Sequence, residues 1–209
     1  MEPRLSRRQA LRMMEASYLA AAAALIWLAL YYLPIGGALF RLALPLPLAL
    51  LLVRRGRRAG LEGVVVAILL LVVLMGPLRG PLMLFPYGLL SLWLGWCWHK
   101  KVSWWISWGL GVVIGAAGFL VRVVALSLMV GENLWVVITR AGAGLLDRVL
   151  ELMQLPLAPD LLLVQAMAIT LVVVQQLVYV LALHDVASWI FARLQAPIPE
   201  PPPVLHGLV

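Results

Sequence analysis

The sequence predicts an all-α integral membrane protein, a bundle of six transmembrane helices, and three observations predict it. Hydrophobic residues make up 64% of the 209-residue chain, charged residues only 12%, and the mean hydropathy is +1.03; soluble domains carry about 45–50% apolar and about 25% charged residues. The apolar residues fall into runs close to the ~20 residues that a helix needs to cross a bilayer. The arginines and lysines cluster at the ends of those runs, which is how topology signals are placed. The formal net charge of +7 therefore points to the membrane surface and not to nucleic acid.

Segment 1–14 carries Arg4, Arg7, Arg8 and Arg12 and is expected to form a basic amphipathic helix at the membrane surface, among anionic headgroups. The membrane domain covers 15–195. Span one, 15–33, has no small-residue cleavage site before more apolar sequence, so it is a retained helix and not a cleaved signal. It closes on the interfacial aromatics Trp27, Tyr31 and Tyr32, and Pro34, Gly36 and Gly37 end it. Span two, 39–53, is interrupted by Pro45 and Pro47, which predicts a kink or local unwinding. Arg54, Arg55, Arg57 and Arg58 follow it.

Span three, 61–75, stops at a Gly76-Pro77-Leu78-Arg79-Gly80-Pro81 turn, and span four, 82–98, carries Pro86 in its first turns. Span five, 104–130, is rich in glycine and holds Arg122 within its apolar stretch. The stretch 133–153 interleaves charged with apolar positions, a pattern that fits an interfacial amphipathic helix better than a span. Span six, 160–184, continues as helix to Arg193, and the proline-rich tail 196–209 should be extended polyproline II.

Basic residues set the orientation. Arg4, Arg7, Arg8, Arg12, Arg54, Arg55, Arg57, Arg58, Lys100, Lys101 and Arg193 fall on one side, and Arg41, Arg79, Arg140 and Arg148 on the other. That excess places both termini in the cytoplasm.

Arg122 is the most informative residue. An arginine inside a span costs about 2.5–3.5 kcal/mol on insertion scales, so it faces a bundle interior, a watery cavity or a partner. In the outer half of span five it could join Arg79, Tyr87, Glu132, Asn133 and Gln165 in a pocket open to the outside, suited to a small ligand with an anionic or amide group. The competing reading is a structural arginine bonded to carbonyls that the prolines free, or one that snorkels outward. Gln175 and Gln176 can join helices or touch a ligand. Ala16, Ala20 and Ala24 lie on one face of span one, and Gly111 and Gly115 on one face of span five. Such small-xxx-small faces let backbones approach closely, within the chain or against a partner helix. His184 and Asp185, at the cytoplasmic end of span six, are expected to have a capping or interfacial role.

Catalytic and metal motifs are missing. His99, His184, His206 and Cys97 have no metal-ligand spacing, no serine sits in a nucleophile motif, and no phosphate-binding glycine loop occurs. A non-enzymatic protein without metal or cofactor is expected.

Leu44-Pro-Leu-Pro-Leu48, Val73-Leu-Met-Gly-Pro-Leu-Arg79, Pro86-Tyr-Gly-Leu-Leu90, Gly109-Leu-Gly111, Gly131-Glu-Asn-Leu-Trp135 and Pro197-Ile-Pro199 together resemble an uncharacterised cyanobacterial membrane family, part of a wider bacterial domain-of-unknown-function group. That group is similar in organisation to the substrate-binding S components of energy-coupling-factor transporters and, more distantly, to the rod-shape scaffold MreD. Resemblance to S components implies a six-helix bundle that holds one vitamin-like molecule or metal ion near its outer face. It also implies that the Ala16, Ala20 and Ala24 face docks on a transmembrane coupling protein with cytoplasmic ATPases. Resemblance to MreD implies a scaffold or assembly factor that binds other membrane proteins. No motif here matches the ligand residues of S components.

Overall fold

The computed structural model describes residues 7–152, 160–196 and 198–199. Among them every regular element is helical: α1 (Arg7–Tyr32), α2 (Gly37–Ala43), α3 (Leu46–Arg55), α4 (Arg57–Met75), a 3-10 turn (Gly80–Leu84), α5 (Tyr87–His99), α6 (Trp104–Val130), α7 (Leu134–Leu152) and α8 (Leu161–Arg193). Six stretches are long and apolar enough to cross a membrane, with α2–α3 and the 3-10 turn–α5 each counting as one.

Segment 7–14 is not a separate surface helix. No glycine or proline stands between Arg7 and Tyr32, so the helix runs unbroken through both expected elements; residues 1–6 and 200–209, which include most of the tail, lie outside the described residues. Span two is broken as expected. Pro45 and Pro47 offer no N–H to the carbonyls one turn back, and α2 and α3 meet at Leu44–Pro45. Span four differs: Pro86 does not sit inside a helix but separates the 3-10 turn from α5. Phe85 before it is extended (φ −110°, ψ 121°), the region to which a following proline pushes a residue. Gly56, at φ +83°, turns α3 into α4 in a single residue.

The interior of the bundle is built on α3 and α5. Leu48, Leu51 and Leu52 of α3 and Leu90 and Leu94 of α5 are buried, and 61% of the apolar window of the fourth span is enclosed, against 17% of the window of α8. The outward faces of α4, α6 and α8 present Val73, Val113, Leu128, Leu162 and Leu171. A bundle clothed in apolar side chains makes its outer contacts with lipid. At 33 residues α8 is about 50 Å long, more than a ~30 Å hydrocarbon core, so its end projects, with Arg193 stacked 4.0 Å over the exposed ring of Trp189. His184 is buried, not interfacial: it shares a 2.8 Å hydrogen bond with Ser107 and so ties α8 to α6.

Among the described residues, four basic residues at the arginine-rich end are paired. Glu15 of α1 holds Arg54 (3.2 Å) and Arg55, and Glu62 of α4 holds Arg12 (2.9 Å) and Arg58 (3.1 Å). These ion pairs stitch α1 to α3 and α4.

Candidate functional site

A cavity of about 420 Å³ lies between α1, α2, α5, α6, α7 and α8, toward the end of the bundle away from the arginine cluster. Arg122 is in its wall, placed there by helical spacing. Gly111, Gly115, Gly118 and Arg122 recur every three or four residues and share one face of α6. A β-carbon on Gly118 would lie 2.8 Å from Pro86 Cα, and one on Gly115 would lie 2.5 Å from Gln176 Oε1. Bare backbone at these positions lets α6 press on the Pro86 segment and on α8, which brings Arg122, one turn past Gly118, beside Tyr87. The Gly111 and Gly115 face is therefore used for packing inside the chain.

The Arg122 guanidinium carbon sits 5.2 Å from the centre of the Trp27 ring and 5.9 Å from that of Tyr87, and Nη2 donates a hydrogen bond to the Tyr31 hydroxyl at 3.2 Å. It makes no bond to a carbonyl freed by proline, and among the described residues no carboxylate pairs with it. Trp27 is fully buried and packs edge-on against Tyr87, which meets Tyr179 edge-on in turn. These rings fix the plane on which the guanidinium rests, and cation–π attraction there is worth about 0.5–2 kcal/mol.

A second cation lines the cavity, Arg41 of α2, and its carbonyl oxygen accepts a 2.7 Å hydrogen bond from the Tyr179 hydroxyl. That bond ties α2 to α8. Gln175 and Gln176 complete the polar wall. Gln176 is only 5% exposed, its Oε1 is buried without a partner, and it makes no hydrogen bond to any described residue. That amide does not join helices by a hydrogen bond among the described residues; its Oε1 packs against Gly115 of α6 as an unmet acceptor beside the cavity.

Of the residues expected around Arg122, only Tyr87 joins it in the cavity wall. Glu132 and Asn133 are exposed in the turn between α6 and α7 and line no part of the cavity, although Leu134 beside them does. Asn133 instead caps α7, its Oδ1 accepting from the backbone N–H groups of Trp135 (3.1 Å) and Val136 (3.3 Å). Gln165 lies about three turns nearer the start of α8 than Gln176, the glutamine at the right level, and lines no part of the cavity. Arg79 is exposed in the turn after α4.

Tyr31, Arg41 and Tyr179 were not expected, and Trp27 and Tyr31 read as interface aromatics. One signal was available: Gly111, Gly115, Gly118 and Arg122 share a helical period, so the arginine had to face what the glycines face.

Ala16, Ala20 and Ala24 are also placed differently from the expected partner contact. All three are buried within the chain: Ala20 and Ala24 pack in one cluster with Val64, Ala67 and Leu71 of α4, and Ala16 packs with Leu51 and Ala59. The face is small because α1 lies close on α4 and α3.

The cavity can attract and orient an anion. Two cations without a counter-carboxylate among the described residues, Arg122 held on the rings and Arg41 in the wall, raise the local positive potential, and apolar walls strengthen it. Tyrosine hydroxyls and a free amide add neutral donors and acceptors. Among the described residues no three His, Cys, Asp or Glu side chains gather as a metal-holding group.

No curated protein and no solved structure matches the chain. A family model described as predicted membrane protein (DUF2232) matches residues 20–206, nearly the whole length, and the chain therefore belongs to that multi-pass membrane family, whose function is unknown.

Proposed function

We propose that the protein is a membrane-embedded binding subunit for a small anionic molecule, which it holds in the Arg122 cavity. One observation carries the reading: Arg41 and Arg122, without a carboxylate partner among the described residues, share a cavity of about 420 Å³ with the unbonded amide of Gln176. That volume falls in the range of small-molecule sites, about 300–1,000 Å³. The ligand carries a carboxylate or similar oxyanion for the arginines and a polar group that can pair with the amide.

The S-component resemblance extends this reading to uptake: both termini are cytoplasmic, the cavity opens outward, and a coupling protein with ATPases empties it. The coupling contact then uses a surface other than the buried alanine face of α1.

Native mass spectrometry of the full chain, gently extracted from its own membrane, tests the binding. The wild type is expected to carry a small-molecule adduct that denaturation releases. Arg122→Gln, which keeps a polar side chain, is expected to weaken retention by about 10- to 100-fold, the worth of one hydrogen bond to a charged group. Wild-type protein free of adduct, or an adduct that Arg122→Gln retains equally, overturns the proposal.

A further inference from the structure

A second concavity, about 430 Å³, lies on the outside of the bundle toward the arginine-rich end. α4 and α6 both pack on α5 but barely on each other, so α5 forms the floor of a groove between them. Leu61 of α4 and Ile114 of α6 make its walls apolar, and Leu89, Leu92, Trp93 and Trp96 of α5 stand along the floor. From Leu89 to Trp96 the floor runs about 10 Å along the helix axis, the direction in which a lipid chain lies in a bilayer.

Arg57 closes one end. Its guanidinium carbon lies 5.8 Å from the centre of the Trp96 ring, and Trp93 next to it is fixed by a 3.1 Å hydrogen bond from its Nε1 to the Ser107 carbonyl oxygen. Arg54, Arg55 and Arg58, its neighbours at the α3–α4 junction, are each paired with Glu15 or Glu62, whereas Arg57 meets no carboxylate among the described residues. The Nε1 of Trp96 is buried with no hydrogen-bond partner, a second unmet donor at the same level.

We infer that this groove is a binding site for one anionic phospholipid, its acyl chain laid along α5 between α4 and α6 and its phosphate paired with Arg57. Charge complementarity selects this occupant. A partner helix would have to bring a carboxylate to the level of Arg57, whereas a lipid phosphate at the end of an apolar groove supplies the counter-charge to a cation already held on an aromatic face. Trp93 and Trp96 suit the headgroup boundary, where an indole sits with one edge polar and its body apolar.

The test uses the full chain in mild detergent with added phosphatidylglycerol or phosphatidylcholine of identical acyl chains, and counts bound lipid by native mass spectrometry. One phosphatidylglycerol per chain is expected to survive gentle activation, with phosphatidylcholine retained at least about tenfold less. Arg57→Gln, at an exposed position, is expected to abolish that preference. Leu61→Trp, which fills the groove from a half-exposed position, is expected to lose the bound lipid while circular dichroism shows the helices intact. Equal retention of the two lipids, or undiminished phosphatidylglycerol on either variant, overturns the inference.

Discussion

Gly118→Ala adds one carbon where the backbone of Pro86 leaves no room. The new β-carbon would stand 2.8 Å from both Cα and Cβ of Pro86. Apolar carbons rest at about 3.5–4.0 Å, so α6 or the 85–86 segment must move by about 1 Å. Overpacking of this size costs about 1–3 kcal/mol, while replacing a helical glycine by alanine returns about 1 kcal/mol. Gly109→Ala, on the same helix, separates the two effects because nothing lies within 4 Å of its added carbon. Both variants gain the same backbone term, and only Gly118→Ala meets the clash. The difference between them should be about 1–3 kcal/mol. For a chain of this length that is a gap of about 2–12 °C in the thermal midpoint, read by circular dichroism in a mild detergent. Since Arg122 lies one turn further along the same face, ligand retention should also fall in Gly118→Ala and not in Gly109→Ala. Equal midpoints for the two variants would refute the claim that glycine at 118 sets the approach of α6 to the Pro86 segment.

Two further predictions follow from the packing. Ala20→Leu should destabilise the bundle by about 1–3 kcal/mol, because position 20 is fully enclosed against α4. Leu25→Ala, on the exposed face of the same helix, should lower the midpoint far less; a neutral Ala20→Leu that instead prevented assembly with another protein would restore the external-partner reading. Glu15→Gln should cost about 1 kcal/mol by leaving Arg54 and Arg55 without their carboxylate, and the loss should shrink as salt is raised. A loss independent of ionic strength would mean that the pairs hold α1 through packing rather than charge.

Much of the fold could be read along the chain. The spans, the break at Pro45, the turn at Gly56 and the extension of α8 to Arg193 all follow from local rules of chain length, missing N–H groups and glycine freedom. Arg122 could be singled out for the same reason, since its insertion cost depends only on its place in an apolar run. Its surroundings could not. Trp27, Tyr31 and Arg41 reach it from helices some 80–95 residues earlier, and sequence spacing says nothing about which helices are neighbours. The expected companions Glu132, Asn133 and Gln165 were taken from nearby loops and helix ends; Glu132 and Asn133 are exposed in the turn beside the cavity, and Gln165 lies about three turns from the level of Gln176.

The alanine face of α1 shows the same division. Its spacing determined that some helix would come close, and the tertiary structure decided that the helix is α4 of the same chain. In lipid, apolar faces do not discriminate between one another, because lipid tails are as apolar as leucine. Lateral neighbours are therefore selected by close contact between small residues and by a few polar ties, such as Tyr179 to the Arg41 carbonyl and Ser107 to His184. The sequence by itself determined that the chain crosses a bilayer, how often, and that one arginine within a span needs company. Only the packed bundle decided which rings, which second cation and which unbonded amide provide it.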